Sequence, residues 1–201
     1  GQFNSALGRQ ALYSNTTASS NTAVGYQALY DNTTGTALVA IGASALANNT
    51  TADSNVAIGI TTLFTNTTGH SNVAIGRSAL YDNTSGSTNV ALGMSALGNN
   101  TTASSNTAVG YQAGYSNTTG ADNTRFGYQA GYWNTTGISN TLIGTQAGSL
   151  ITTGSNNTIL GRYNGNQGGL DIRFSSNNIV LSDGDGNPRV YVDSSGNMGV
   201  G

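Results

Sequence analysis

Aromatic side chains are the residues of this chain best suited to ligand recognition, and most of them recur at a fixed spacing. An aromatic ring presents a flat, electron-rich face that can stack on the apolar face of a sugar. The same side chains could instead cover the edges of a repeat or pack between chains, so the glycan interpretation competes with a structural one. The candidate receptor or glycan contacts are Tyr26, Tyr30, Tyr111, Tyr115, Tyr128, Tyr132 and Trp133.

The chain contains few of the side chains that enzymes commonly use in catalysis. The chain contains no cysteine and no glutamate, and His70 is its only histidine. No nucleophile, base and orienting group converge near His70 in the sequence, as nucleophilic catalysis would require. The sequence therefore predicts no enzyme activity, no catalytic residues and no cofactor.

Two short motifs superficially suggest modified or metal-bound side chains. The run from Asp183 to Asn187 places oxygen ligands at alternating positions, as a calcium loop does, but the loop positions that require Gly and Glu hold Pro188 and Ser194. We therefore expect a plain hairpin turn there and no metal site. The repeated Asn-Thr-Thr triplets match the N-glycosylation motif. Glycans on repeats about 5 Å apart would collide, so we interpret the triplets as a turn ladder.

Charge is sparse and shows no basic patch. Charged residues make up 7% of the chain and the formal net charge is -2. Nucleic-acid binding depends largely on clustered Lys and Arg, so we expect no nucleic-acid partner. No run of about 18 apolar residues is present, so we also expect no membrane insertion.

The positions of these residues are set by a 17-residue repeat, which runs through most of the chain without an insertion. A uniform period of this size is typical of a stacked solenoid. We number each coil from its closing glycine, which is position 0. These ten glycines are Gly8, Gly25, Gly42, Gly59, Gly76, Gly93, Gly110, Gly127, Gly144 and Gly161.

Each coil is expected to contain two short strands, one before the glycine and one after it. Position −1 is always large and apolar, and position −2 is Ala in the first seven coils. Because side chains alternate across a strand, we expect position −1 to point inward and to meet the Leu at position +4. The alanines at −2 and +3 indicate a second close contact, either across the coil or with another chain.

Asparagine recurs at positions −4 and +7, where stacked amides can hydrogen-bond along a parallel array. The glycine at position 0 allows positive φ or a close backbone approach. Four coils illustrate the expected ladder of a corner Asn and a turn Gly. They are Asn21 with Gly25, Asn55 with Gly59, Asn72 with Gly76, and Asn106 with Gly110.

Two regions follow from this pattern. Residues 1–165 are predicted to form a parallel β-roll, or β-solenoid, of ten 17-residue coils. Residues 166–201 lose the period and read as a short β-meander that interlocks three chains. The departures from the repeat, at Leu38, Arg125, Phe126 and the late glycines, are where we would look for a more specific role.

The repeats carry two family resemblances. The unit Ser-Asn-Val-Ala-Ile-Gly at 71–76, followed by Ser78 and Ala79, resembles the head repeat of trimeric autotransporter adhesins. That resemblance implies a left-handed parallel β-roll in a homotrimer. The longer unit at 21–35 resembles repeat regions of bacteriophage tail fibres, and the segment 177–201 is similar to the one preceding the intramolecular chaperone of many tail fibres. Together these imply a trimeric fibre shaft.

The predicted function is therefore structural and adhesive. We expect a homotrimeric segment of a phage tail fibre, located in the virion or outside the cell, that mediates or supports attachment to a host glycan or protein receptor. The alternative is the head of a bacterial trimeric surface adhesin. A third interpretation is an ice-binding β-solenoid, motivated by threonine pairs such as Thr33-Thr34.

Overall fold

The computed structural model describes residues 1–201 and contains only β-strands and turns, as the sequence predicts. The ten repeat strands are β1 (Ser5–Leu7), β2 (Thr22–Val24), β3 (Val39–Ile41), β4 (Val56–Ile58), β5 (Val73–Ile75), β6 (Val90–Leu92), β7 (Thr107–Val109), β8 (Thr124–Phe126), β9 (Thr141–Ile143) and β10 (Thr158–Leu160). The remaining strands are β11 (Asn166–Gln167), β12 (Leu170–Asp171), β13 (Ile179–Ser182), β14 (Pro188–Val192) and β15 (Met198–Val200).

Strands β1 to β10 lie side by side in chain order and are all parallel. Each residue pairs with its equivalent in the next coil, as Ala23 does with Ala40 and Ala40 with Ala57. Parallel strands satisfy each other's backbone groups from one coil to the next. This register confirms the parallel β-solenoid of about ten coils.

The second strand of each coil does not form, which corrects the expectation of two strands. Positions +2 and +4 have positive φ, for example 55° at Gln27 and 53° at Leu29, so this segment turns instead of extending. It is still bonded between coils, since the Leu29 N–H donates to the Ala45 carbonyl at 3.0 Å. A left-handed conformation costs a non-glycine residue about 1–2 kcal/mol. Burying the leucine gains about 1.5–3 kcal/mol, which offsets that cost.

The prediction that position −1 points inward is wrong. Its side chains are exposed or half-buried, with Ile41 at 38% and Ile75 at 39%, whereas the alanines at −2 are fully buried from coil 2 onward. The buried Asn at −4 lies on the same strand face as −2, so side-chain alternation turns −1 and −3 outward. The core is therefore a thin column in which the alanines at −2 and +3 pack across the coil on the leucines at +4.

Two asparagine ladders run inside the solenoid, as predicted. At position −4, the Oδ1 of Asn55 accepts the backbone N–H of Asn72 at 2.8 Å, and the pattern repeats along the column. At position +7, the Nδ2 of Asn66 donates to the Oδ1 of Asn49 at 3.1 Å. Buried amides are tolerated only when they are hydrogen-bonded. Each ladder meets that condition only if another coil lies next to it.

In the late coils the interior is filled by side chains from position −2 instead of by the leucine at position +4. In coils 8 to 10 the position −2 alanine is replaced by a large residue, and from coil 7 the +4 leucine is replaced by glycine. A Cβ on Gly148 would lie 2.8 Å from a Cδ of Leu142, and a Cβ on Gly131 would lie 2.8 Å from the Cδ of Arg125. The large inward side chain therefore takes the space that leucine occupies in earlier coils.

The parallel stack continues past residue 165, where the sequence places the end of the repeats. Strand β13 pairs in parallel with β10, Thr158 with Ile179, so this coil is longer than the ten before it. Asn178 extends the ladder, and its N–H donates to the Oδ1 of Asn157 at 3.0 Å. The insertion lengthens the coil without moving its inward residues. Strands β14 and β15 then add in antiparallel order to the same 13-stranded sheet.

Candidate receptor-binding surfaces

The predicted aromatic contacts form two columns along the solenoid. Tyr26, Tyr111 and Tyr128 occupy position +1 and are exposed, with Tyr128 at 48%. Tyr30, Tyr115 and Tyr132 occupy position +5 and are half-buried. Trp133, at position +6, is 52% exposed and packs edge-on against Tyr132 at 4.8 Å between ring centroids.

Within each column, neighbouring rings cover one another's faces. The ring centroids of Tyr111 and Tyr128 are 5.4 Å apart at an interplanar angle of 13°, and Tyr115 and Tyr132 are also 5.4 Å apart. A sugar stacks on an uncovered ring face. The columns can therefore offer a ligand only their terminal faces and the faces that border an interruption.

One interruption in the +5 column opens a cleft of about 310 Å³, which we call the Gly98 notch. Position +5 is Gly98 in coil 6, so Tyr81 and Tyr115 flank a missing ring. Phe64 covers the far face of Tyr81 at 5.4 Å, and Tyr132 covers the far face of Tyr115. The cleft is lined by Ser78, Tyr81, Asp82, Ser95, Gly98, Asn99 and Tyr115. Sequence reasoning did not identify Tyr81 or the notch, although the glycine in an aromatic column was its visible signal.

The strand residues at −3 and −1 form a second candidate surface, which we call the outer sheet face. These two columns contain no charged side chain. Position −1 supplies large apolar groups in every coil, and Phe126, Leu160 and Leu181 are 55%, 41% and 38% exposed. Monomeric proteins rarely expose contiguous apolar patches of more than a few hundred Å², and such patches mark interaction sites.

Arg125 lies inside the solenoid and is fully buried. Its Nη2 donates to the Oδ1 of Asn117 at 3.0 Å and to the Oδ1 of Asn134 at 2.8 Å, which interrupts the +7 amide ladder. Its Nε and Nη1 are buried without a hydrogen-bond partner. No carboxylate pairs with Arg125, and burial lowers the pKa of its guanidinium to about 9. The side chain therefore costs stability at neutral pH.

Replacing Arg125 with methionine is expected to stabilise the protein by about 1–3 kcal/mol, because removing a buried unpaired charge relieves its desolvation. The Nδ2 of Asn134 can then donate a hydrogen bond to the Oδ1 of Asn117, as the ladder amides of earlier coils do. Urea unfolding followed by circular dichroism measures the change. Arg77→Met is the control, since Arg77 is exposed and makes no side-chain hydrogen bond. A less stable Arg125→Met protein would show that the guanidinium is needed for packing.

The turn at 183–187 is a hairpin turn between β13 and β14, as predicted. The carboxylate of Asp183 accepts the backbone N–H of Asn187 at 2.9 Å and that of Asp185 at 3.0 Å, and it also pairs with Arg189. The Asn187 N–H contributes most to holding the pKa of Asp183 at about 2, and the guanidinium of Arg189 adds to it. His70 lies exposed in the irregular segment that precedes β5.

The Asn-Thr-Thr triplets are structural. Their asparagines are buried from Asn32 onward and are bonded within the ladder. The first Thr hydroxyl donates to the backbone of the next coil, as Thr33 does to the Thr50 carbonyl at 3.0 Å. The second Thr is exposed, which leaves one column of free threonines on the surface.

None of the elements is a helix long and apolar enough to cross a membrane. No three His, Asp, Cys or Glu side chains are grouped so that they could hold a metal ion. No family model, curated protein or solved structure matches this chain.

Proposed function

We propose that the chain is a structural segment of a homotrimeric phage tail fibre that supports attachment to a host cell surface. The observation that carries this proposal is the outer sheet face, whose position −1 column is apolar in every coil and whose position −3 column holds only Val, Thr and Ser in the ten repeats. In the proposed trimer, the outer sheet faces of three chains pack on one another around a common axis. The left-handed coil and the extracellular or virion location follow from the same family resemblance and belong to the proposal.

Dimensions support self-association through this face. Eleven parallel rungs spaced by about 4.8 Å extend about 50 Å, and each strand with its flanking residues spans about 14 Å. The resulting area is about 700 Å² per chain, close to the roughly 800 Å² that each partner contributes to a standard interface. A second copy also repeats with the same rise, so it can match the columns coil by coil.

The fibre function is geometric. Stacked hydrogen-bonded coils give a stiff rod, and three parallel chains present every surface feature three times. Weak contacts made simultaneously by linked sites gain avidity. A receptor, whether a glycan or a protein, would then be held by repeated weak contacts with the fibre surface.

Light scattering on the purified chain tests this proposal. The expected particle mass is three times the 20.3 kDa of one chain. A particle with the mass of a single chain at micromolar concentration would contradict both the fibre and the adhesin interpretations. The two interpretations are separated by the sequence of the full protein beyond residue 201. A chaperone domain there favours the fibre, and a coiled-coil stalk with a membrane anchor favours the bacterial adhesin head.

The second Thr of each Asn-Thr-Thr triplet is exposed, and together these residues form a column on the surface. This column favours ice binding as a third candidate function. Its members lie on equivalent corners of successive coils and make no side-chain hydrogen bonds. A thermal hysteresis assay decides it, since an ice-binding protein lowers the freezing point below the melting point. Absence of hysteresis at millimolar protein removes this candidate.

A further inference from the structure

We propose that the Gly98 notch is a binding site for one neutral pyranose ring, either a hexose or an N-acetylhexosamine. This inference rests on the proposed adhesive function and deepens it, because it assigns receptor contact to one place on the fibre surface. The geometry of three successive coils and the polar groups that line the cleft carry it.

The spacing of the two flanking rings leaves room for one more ring. Tyr81 and Tyr115 stand two coils apart, which is about 9.6 Å along a parallel sheet. Where the column is continuous, ring centroids are 5.1–5.4 Å apart. One flat ring inserted at the level of Gly98 would therefore lie at stacking distance from both tyrosines.

No other aromatic ring stacks on the inner faces of these two rings. Phe64 and Tyr132 stack on the outer faces of Tyr81 and Tyr115, so only the faces toward Gly98 remain. A Cβ on Gly98 would lie 3.0 Å from Cδ2 and Cε2 of Tyr115, so this ring leans toward the glycine and has to shift toward Tyr132 to admit a sugar ring. The C–H groups of a pyranose carry partial positive charge and are attracted to the negative face of such a ring.

Free polar side chains surround the cleft. The carboxylate of Asp82, the amide of Asn99 and the hydroxyl of Ser95 line the notch, and none of them makes a hydrogen bond within the chain. A carboxylate accepts two hydroxyl donors, and an amide both donates and accepts. The notch combines two aromatic rings with polar side chains, so it is more polar than most small-molecule sites, which suits a ligand rich in hydroxyl groups.

The charge of the cleft selects against acidic sugars. Asp82 is the only charged residue that lines the notch. A carboxylated sugar would place a second negative charge beside it, and like charges at close range repel. We therefore expect neutral hexoses or N-acetylhexosamines to bind and uronic acids to bind more weakly.

A second interruption of the same column provides an internal comparison. Ala47 occupies position +5 between Tyr30 and Phe64, but no cleft opens there. Ala47 carries a methyl group at this level of the column, which Gly98 lacks. The site is therefore specific to the glycine of coil 6.

Saturation-transfer NMR measures binding of three defined neutral probes, methyl β-D-glucopyranoside, methyl β-D-galactopyranoside and N-acetylglucosamine, with glucuronic acid as the acidic comparison. We expect millimolar binding of at least one neutral probe and at least fivefold weaker binding of glucuronic acid. Absence of binding of all three neutral probes, each at about tenfold above the expected dissociation constant, would overturn the proposal.

Variants with matched controls locate the site. Gly98→Tyr completes the aromatic column as in neighbouring coils and should abolish binding, whereas Ala47→Tyr fills the other interruption and should not affect it. Asp82→Asn should weaken binding about tenfold, and Asp31→Asn, at the same position of coil 2, should have no effect. Thermal unfolding confirms that each variant is folded. If Gly98→Tyr and Ala47→Tyr change sugar binding equally, or if Asp82→Asn and Asp31→Asn do, the proposed site is wrong.

Failure of the notch and failure of the fibre proposal give different results. Sugar binding by a monomeric species would support the notch and contradict the trimer. A trimeric species that binds no probe would contradict the notch and leave the fibre proposal in place.

Discussion

Gly76→Ala is expected to destabilise the protein by about 4 kcal/mol and to open the stack between coils 5 and 6. Gly76 has a φ of 129°, a conformation that L-residues rarely adopt, and a Cβ there would lie 2.6 Å from the backbone C and O of Gly93. Backbone strain of this kind costs about 1–3 kcal/mol. Forcing a methyl group into a packed site adds a similar amount.

The contact cannot be relieved locally, because the next coil contributes backbone atoms there and not the flexible end of a side chain. Each coil is stabilised only by its neighbours, so a defect in one rung weakens the interfaces on both sides. Urea unfolding followed by circular dichroism should show a transition at lower urea concentration, and amide hydrogen exchange should be fastest in the coils around residue 76.

Gly184→Ala is the matched control for this prediction. Gly184 has no positive φ, and a Cβ on it would meet nothing within 4 Å. Its unfolding midpoint should match that of the unchanged protein within error. Comparable losses at Gly76 and Gly184 would show that the close approach at position 0 is not what holds the coils together.

The second large effect concerns the outer sheet face. The double variant Ile41→Asp with Ile75→Asp is expected to reduce the particle from the mass of three chains to that of one. Both side chains lie at position −1 and are 38% and 39% exposed in the single chain, so a carboxylate there remains hydrated until chains associate. In the proposed trimer, six carboxylates would be buried against apolar groups, and each buried unpaired charge costs several kcal/mol. Light scattering measures the mass.

The control places the same charges on another corner of the repeat. Thr51 and Ser85 are exposed at position +9 and make no side-chain hydrogen bond. Thr51→Asp with Ser85→Asp should retain the trimer mass. If the Ile41/Ile75 variant also remains a trimer with an unchanged unfolding curve, the chains associate through a different surface.

Three levels of organisation are separable in this molecule. The glycine column holds successive coils of one chain together, and the outer sheet face is proposed to hold three chains together. Arg125→Met acts on a third level, the side-chain core, where the natural residue is a buried cation that weakens the fold. Arg125 lies in coil 8, three coils beyond Ile75 and Gly76, so its effect should be nearly additive with theirs. Ile75 and Gly76 are consecutive residues, so their effects are expected to couple.

The 17-residue period of the sequence was enough to predict the fold class. A strict spacing of glycine and asparagine requires equivalent residues to lie in register, and the structure confirms parallel pairing of Ala23 with Ala40, its equivalent in the next coil. The turn at 183–187 was also predictable, because residues such as Asp183 and Asn187 stabilise tight turns through their own backbone. These features are local or strictly periodic, so a linear sequence expresses them directly.

Side-chain direction could not be read from residue type alone. The rule that large apolar residues lie inside suggested that Ile41 and Ile75 form the core, yet the core consists of smaller alanines and of leucines in a left-handed conformation. A coil of this length encloses a narrow space, and the buried Asn at −4 fixes which face of the strand points into it. Hydrogen bonding of the ladder therefore outweighs the hydrophobic preference of position −1.

The sequence by itself determined the repeat, the all-β stack and the two amide ladders, since each depends only on which residue types recur at which interval. Only the tertiary structure decided which columns face the interior, that the leucine at +4 turns instead of extending, and that the glycine at 98 leaves a cleft between two tyrosines. Those outcomes depend on the cross-section of the closed coil and on contacts between equivalent residues of neighbouring coils. The cross-section and these contacts are set only when the chain has folded into closed coils.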